Sequence, residues 1–300
     1  MCTLLEVSPS GYYDYRDRAS SARANRNAAI TEKIKAIHAR SKGVYGSPRI
    51  QATLEREGEK VAIGTVKKIM QREGLRSKLA PKRKNPKRET AVSKNLLSEE
   101  GDPLKPNQAW SGDFTYIWTR QGWLYLASVM DLYSRRIVGW AFGKQATKEL
   151  VIQALEAGRP HGAGWPDRCR LSQDSAALPK TMGVKHRKPR PGLIFHSDKG
   201  SQYTSYAFKD ALERHQLRQS HAGTGNCFEN AKKERFYRSL KGEHLDHLEL
   251  LTRDQAEREI FAYIEMFYNR ERIHTVLDNL SPLEFEEKPH PAQSVMLEAA

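Results

Sequence analysis

Trp110-Ser-Gly-Asp-Phe-Thr-Tyr-Ile117 is the stretch on which the fold turns. Aromatic and β-branched residues crowd it, which predicts a strand, yet Asp113 stands in its middle. A half-buried aspartate costs several kcal/mol unless it is paired or bound to a cation. A capping or turn role is the structural alternative. Outward from this stretch, 123–129 and 136–142 have the same strand-forming composition, and Arg120-Gln-Gly122 and Asp131-Leu-Tyr-Ser134 break the chain between them. The three are expected to form an antiparallel meander.

The pattern then alternates. A helix is predicted over 148–156, and 158–182, dense in Gly, Pro, Arg and Asp without a period, reads as an irregular insertion. An apolar strand over 192–195 leads into His196-Ser-Asp198, a helix follows near 205–214, and a short segment ends at Ser220. Ala231-Lys-Lys-Glu-Arg-Phe-Tyr237 opens a last helix carrying Glu234. This succession is that of an α/β, ribonuclease-H-like domain, a mixed sheet flanked by helices.

Upstream the chain is different. Of a net charge of +14, residues 1–95 carry 22 Lys and Arg against 9 Asp and Glu, and the remaining 205 residues are nearly balanced. A charge excess confined to one segment favours a polyanionic partner there, with a solvated basic tail as the plainer reading. Within it, 1–26 has aromatics and turn formers but no period and reads as a lead-in. Ile30, Ile34 and Ile37 fall at i, i+4 and i+7; Ser47-Pro48 starts a second helix that Gly58 ends; Val66, Ile69 and Met70 stripe a third, stopped by Gly74. Such a trihelical unit, 27–77, is expected to be a small all-α helix-turn-helix domain, its third helix offering Lys67, Lys68, Gln71 and Arg72 to a DNA groove, with Arg49 nearby. Lys82, Arg83, Lys84, Lys87 and Arg88 lie in a linker over 78–104, which reads as a phosphate-tracking arm or a solvated hinge. The core is expected over 105–290, and 291–300 as a tail.

Asp113, Asp198 and Glu234 are the candidate catalytic residues and metal ligands. Cutting or joining phosphodiesters needs an activated oxygen nucleophile and a stabilised leaving oxygen, and clustered carboxylates hold the divalent ions that do both. Each has a local alternative. Asp198 also reads as a turn residue capping the helix behind it. Glu234 has Arg238 and Lys241 at i+4 and i+7, so a surface ion-pair ladder suits it equally, with Phe236, Tyr237 and Leu240 as the apolar side. There is no Gly-x-x-x-x-Gly-Lys-Ser/Thr loop and no Gly-x-Ser-x-Gly elbow, so neither nucleotide hydrolysis nor acyl transfer is indicated. Tyrosine or serine recombination stays open on composition, but neither uses a carboxylate triad. Cys2, Cys169 and Cys227 are too few and scattered for a disulfide framework or a zinc site. No apolar run approaches membrane-spanning length, and cytoplasmic residence is the expectation.

Asp198 and Glu234 are separated by 35 residues, the interval of the D,D-35-E polynucleotidyl transferases. Ordered blocks extend the likeness over almost the whole chain: Ser10-Gly-Tyr-Tyr13, Tyr45-Gly-Ser-Pro-Arg-Ile50, 110–117, Trp123-Leu-Tyr-Leu-Ala127, Asp131-Leu-Tyr-Ser-Arg135 with Val138-Gly-Trp140, 196–203, 225–234, and Tyr268-Asn-Arg-Glu-Arg272 with His274 and Ser281-Pro282. The sequence resembles the B-frame transposase of bacterial insertion sequences of the IS-three group, relatives of retroviral integrases. That resemblance implies a triad of Asp113, Asp198 and Glu234 binding two Mg²⁺ ions, with Mn²⁺ able to substitute and no nucleotide cofactor. It implies DNA partners, both transposon terminal repeats and target DNA, a homodimer or larger assembly on DNA, and a fusion to an A-frame protein. His196, Lys199, Gln202 and Asn230, with Arg238 and Lys241, are expected beside the site. The chain departs from the family pattern at Glu229-Asn-Ala231, where Asp-Asn-Ala is usual, and at 158–182. A catalytically inactive module occupying transposon ends is therefore the alternative.

Overall fold

Ile30 and Ile34, with Ile37 a turn further, bury one stripe of a long helix, and that stripe organises the first unit. The computed structural model describes residues 8–17, 21–78, 101–156, 187–221 and 231–288. Its contacts divide the chain into two units, Met1–Lys78 and Leu79–Ala300.

In the first unit, α1 (Pro9–Asp17) precedes α2 (Ala22–Arg40), α3 (Ser47–Arg56) and α4 (Ile63–Arg72). The stretch expected as an aperiodic lead-in thus holds a helix and the first turns of another. Its aromatics gave no apolar period, while Pro9 in the first turn is compatible with a helix. Ser21 caps α2 by accepting from the Ala24 N–H, and Pro48 opens α3. α3 ends where Gly58 takes a left-handed φ of +85°, its N–H bonding the Glu55 carbonyl while Glu59 N–H bonds that of Leu54. Ile50, Leu54, Val66, Ile69 and Met70 close the core against α2. The described residues are those of a three-helix core with α4 following α3 after a short turn.

The second unit is built on five strands in the order β3-β2-β1-β4-β5. β1 (Ala109–Thr119), β2 (Gly122–Asp131) and β3 (Ile137–Gly143) form the antiparallel meander, and β4 (Ile194–Ser197) and β5 (Arg218–His221) add in parallel. β4 runs two residues later than predicted, so His196 and Ser197 lie within it. One face of the sheet is covered by α5 (Lys148–Glu156), the short α6 (Ser201–Thr204) and α7 (Tyr206–Arg214); Trp110, Val129, Leu155, Phe195, Tyr203 and Phe208 pack there. Gly112 is required on this side, since a Cβ would stand 2.4 Å from the Phe195 ring. The other face receives α8 (Ala231–Glu243) and α9 (Arg253–Ala262), which runs into a π-helical turn over Tyr263–Tyr268. A last helix, α10 (Pro282–Glu287), starts at a capping box on Ser281 and Glu284. The insertion at 158–182, most of the basic linker, and the tail lie outside the described residues. Among the described residues no helix is long and apolar enough to cross a membrane.

Candidate active site

Parallel pairing of β1 and β4 sets Ala109, Trp110 and Ser111 opposite Ile194, Phe195 and His196. The pairing ends there, two residues before Asp113 on β1 and Asp198 on the other chain segment, and the Asp198 charge acts on Asp113. Alternate residues share a face, so Asp113 follows Ser111 onto the side that α8 covers. Asp198 lies just past β4, where its Oδ1 accepts from the Gly200 N–H at 3.0 Å. It therefore makes a tight local turn and does not cap α6, whose N-terminal residue is preceded by Gly200.

Phe236, Tyr237 and Leu240 bury the inner stripe of α8, as predicted. The Tyr237 hydroxyl donates to the Asp113 carbonyl at 2.6 Å and lies 2.8 Å from Ser128 Oγ, and Ser128 is the cross-strand partner of Asp113. Burial, reinforced by the Asp113 charge, raises the Tyr237 phenol well above its ordinary pKa and keeps it a donor. The helix carrying Glu234 is thus tied to the strand carrying Asp113. Glu234 itself is exposed, and among the described residues no ion pair joins it to Arg238 or Lys241.

Asp113 feels all of this. Burial pushes its carboxyl up to about 7, against the pull of the nearby Lys233 charge and of the Phe114 N–H bonded at 2.8 Å. The charges of Asp198 and Glu234 push it further up. Lys233 is fully buried, with its Nζ 5.5 Å from the Phe236 ring centre and 5.6 Å from that of Tyr237. Among the described residues that Nζ has no hydrogen-bond partner. Burial lowers the ammonium well below its ordinary pKa while Asp113 opposes the shift.

Three carboxylates, one of them raised by burial and further by the charges of the other two, have the donor chemistry of a hard divalent cation site, because a cation would offset both the burial and the repulsion. Among the described residues no three His, Cys, Asp or Glu side chains stand close enough to share one ion. The donor types fit; a closed ligand shell is not formed.

The neighbours divide by role. His196 is buried, with Nδ1 3.1 Å from Ser220 Oγ, so it braces β4 against β5. Gln202 donates to the Ala146 carbonyl at 3.0 Å and fixes α6 to the loop after β3. Lys199 and Arg238 are exposed, and Lys241 sits with its Nζ 5.0 Å from the Tyr116 ring centre. Asn230 lies outside the described residues. In the first unit Lys67, Lys68 and Gln71 are exposed on α4; Arg72 is exposed too but bonds Thr31 and Glu73, and Arg49 is half-buried over the Tyr45 ring. Lys82, Arg83, Lys84, Lys87 and Arg88 lie outside the described residues.

Lys233, Ser128 and the tethering role of Tyr237 were not foreseen. A signal existed for the first: positions 233, 236, 237 and 240 share one stripe at i, i+3, i+4 and i+7, so Lys233 had to point inward. The C-terminal signature is packing. Asn269 bonds both backbone groups of Ile137, and Arg272 bonds Glu243 and Ser239 of α8 from behind.

Three family models match the chain: an HTH-like domain over residues 25–84 and an integrase core domain matched in two parts, over 103–170 and 234–289. The chain is 37% identical over 295 residues to the insertion element IS600 uncharacterized 31 kDa protein of Shigella sonnei, covering 97% of this chain and 98% of the relative. It is 35% identical over 294 residues to transposase InsF for insertion sequence IS3A of Escherichia coli (strain K12), covering 96% and 93%. Among solved structures, the simian T-cell lymphotropic virus intasome in complex with PP2A regulatory subunit B56 gamma aligns at 15% identity and a TM-score of 0.46, covering 86% and 76%. The HTLV-2 integrase catalytic core domain in complex with magnesium (trimeric form) aligns at 16% identity and a TM-score of 0.40, covering 61% and 98%.

Proposed function

The chain belongs to the family of transposases encoded by insertion sequences of the IS3 group, and from that premise we propose that it cuts DNA at the ends of its element and joins them to target DNA, using Asp113, Asp198 and Glu234. The observation that supports this reading is the Asp113 carboxyl, raised to about 7 chiefly by burial and further by the nearby charges of Asp198 and Glu234. Perturbed acids of this kind mark functional sites.

Asp113 is delivered by β1, Asp198 by the turn just past the adjacent β4, and Glu234 by a helix that Tyr237 fastens to β1. When bound, two Mg²⁺ ions, or Mn²⁺ in their place, would activate the attacking oxygen and neutralise the departing one. Water attack at the element end would release a 3′ hydroxyl, whose oxygen then attacks a target phosphodiester. One phosphodiester is broken for each one made in that second step, so no nucleotide cofactor is needed. Lys199, Arg238 and Lys241 border the carboxylates and would face DNA phosphates, while His196 and Gln202 hold β4 and α6 in place.

We assign DNA-end recognition to 27–77 through Lys67, Lys68 and Gln71, with 78–104 as the linker and 105–290 as the catalytic domain. Joining two ends to one target implies a homodimer or larger assembly on DNA, and we place the reaction in the bacterial cytoplasm at the nucleoid, with the A-frame protein as a fusion partner. The inactive alternative drew on 158–182, which lies outside the described residues, and no relative favours it. The test is nicking and strand transfer by the purified full chain on duplexes bearing the element's ends, with Mg²⁺. Asp198→Asn and Glu234→Gln should bind these ends and leave them intact; nicking retained by Asp198→Asn overturns the triad.

A further inference from the structure

β1 outlasts its parallel neighbour. Its pairing with β4 stops at Ser111 and His196, while β1 continues to Thr119 against β2 alone. On this overhang Tyr116 and Trp118 are 55% and 59% exposed, and Trp123, paired opposite Trp118 on β2, is 43% exposed. Their rings interlock: Trp123 meets Tyr116 edge-on at 5.1 Å and Trp118 at 4.8 Å. Lys241 of α8 reaches over Tyr116, Arg120 stands at the rim paired with Glu249, and the rings border an open cleft of about 480 Å³. Large aromatic side chains left in water as one cluster mark a surface that a partner covers.

The position of the cluster identifies the partner. Tyr116 and Trp118 lie three and five residues beyond Asp113 on the same strand, roughly 10 to 16 Å away at about 3.3 Å per residue and on the alternate face, but β4 no longer covers the strand edge there and Lys241 of α8 reaches Tyr116 around it. Lys241 lies two helical turns beyond Glu234, about 10 Å along α8. Both elements that carry the carboxylates therefore lead to the rings over the length of a few nucleotides. The charges then decide which part of a nucleotide enters. Asp246 and Glu249 line the cleft beside Lys241 and Arg120 and would repel phosphates from its interior, whereas a base has a neutral π face that stacks on an aromatic ring irrespective of sequence.

We propose that Tyr116, Trp118 and Trp123, edged by Lys241 and Arg120, form a stacking platform for unpaired bases of the DNA strand leaving the carboxylate site. The choice of DNA rests on the transferase reading above; the platform itself rests on the exposed rings.

The test is photo-cross-linking of the full chain to a single-stranded oligothymidylate carrying one 5-iodouracil, with adducts mapped by mass spectrometry. Adducts are expected at Trp118, Trp123 or Tyr116. Trp118→Ala with Trp123→Ala should lower the affinity for the oligonucleotide by about fivefold to a hundredfold, and Trp118→Phe with Trp123→Phe should restore most of it. All are surface changes, and unaltered melting of the variants separates a lost platform from lost folding. Adducts confined to other residues, or an alanine variant binding as tightly as the wild type, overturn the proposal. So does a wild-type dimer that the alanine variant dissociates without losing oligonucleotide affinity, which would assign the rings to a second copy of the chain. Nicking measured beside cross-linking on the wild type keeps the two readings apart: adducts at the rings with no nicking would sink the transferase reading alone, and nicking without such adducts would sink the platform alone.

Discussion

The side-chain hydroxyl of Tyr237 donates to the main-chain carbonyl of Asp113 at 2.6 Å. It fastens α8 to β1 at the residue whose carboxyl burial raises to about 7, and the nearby Ser128 hydroxyl completes the link across to β2. Glu234 sits less than one turn before Tyr237, so the tether sets how far Glu234 stands from Asp113. Tyr237→Phe removes the hydroxyl and keeps the ring. Its expected cost in stability is about 1–2 kcal/mol, while nicking should fall by about ten- to a hundredfold, because small displacements of reacting groups are costly. Denaturant melts and single-turnover nicking measure the two. Equal activity in the variant would show that Tyr237 only packs.

Asp113→Asn should gain stability while losing nicking. The Asp113 carboxyl is pushed up to about 7, above its ordinary value, chiefly by burial. A raised acid is protonated more readily in the folded chain than in the unfolded one, so its contribution favours folding below the ordinary carboxyl pKa and is lost as pH rises through about 7. At neutral pH and above, the amide variant should therefore be the more stable in the absence of divalent metal, by on the order of 2 kcal/mol. Mg²⁺ should stabilise the wild type and leave the variant unmoved, since a ligand stabilises only the form that binds it. Thermal melts with and without Mg²⁺ across this range decide it; a wild type indifferent to Mg²⁺ would count against Asp113 as a ligand.

Much of this was legible in the sequence. The strand over 110–117, its two antiparallel partners and the helix over 148–156 follow from local composition, because a half-buried strand and an amphipathic helix have short periods that one segment displays. What local reading lacks is depth. The stripe that Lys233 shares with Phe236, Tyr237 and Leu240 turns it inward, but only the tertiary fold shows that its ammonium is fully buried beside Asp113. Tyr268, Asn269 and Arg272 could not be assigned a role, because their partners Phe236, Ile137 and Glu243 lie tens of residues or more away in the chain. Asp198 had two local readings, and the structure keeps the turn: it is bonded to Gly200, and its charge also acts on Asp113. The helix Pro9–Asp17 escaped because its aromatics carry no apolar period.

Arg272 and Glu243 form a buried ion pair that props the C-terminal end of α8, with Tyr263 donating to Glu243 at 2.8 Å. Glu243 and its neighbours hold Arg272 charged above the ordinary guanidinium range, against the effect of burial. Arg272→Met leaves a buried carboxylate without its cation, an expected loss of about 3–5 kcal/mol. Adding Glu243→Leu should recover much of that loss, because the uncompensated charge goes with it. Urea unfolding of the two variants measures both steps, and a double variant no better than the single would show that shape, not charge, dominates there.

Glu265 in the π-helical turn accepts from the Trp140 indole N–H at 3.1 Å. Burial raises its carboxyl above the ordinary value, outweighing the Trp140 bond and the charges of Arg136 and Arg270. As with Asp113, the stabilising contribution is present in acid and is lost as pH rises through the folded pKa. Glu265→Gln keeps an acceptor for Trp140 and removes the titration. The variant should therefore be the more stable at neutral pH, and its advantage should shrink toward about pH 4. Unfolding curves at several pH values test the sign; an advantage that grows in acid would refute it.

Lys67 and Lys68 project from α4 into solvent, whereas the neighbouring Arg72 is already bonded to Thr31 and Glu73. That difference makes an internal control. If α4 holds element ends through phosphates, each lysine that meets one releases counterions on binding. Lys67→Ala and Lys68→Ala should then each reduce the slope of log affinity against log salt by about one and weaken binding to all sequences alike. Gln71→Ala should leave the slope unchanged and weaken the discrimination in favour of the element's own ends, since an amide reads base edges and carries no charge. Arg72→Ala should cost stability through the lost bond to Thr31 before it costs affinity. Titrations of labelled duplexes over a range of salt, with melts of each variant alongside, separate these outcomes. A salt slope unchanged by both lysine substitutions would move the DNA surface away from α4.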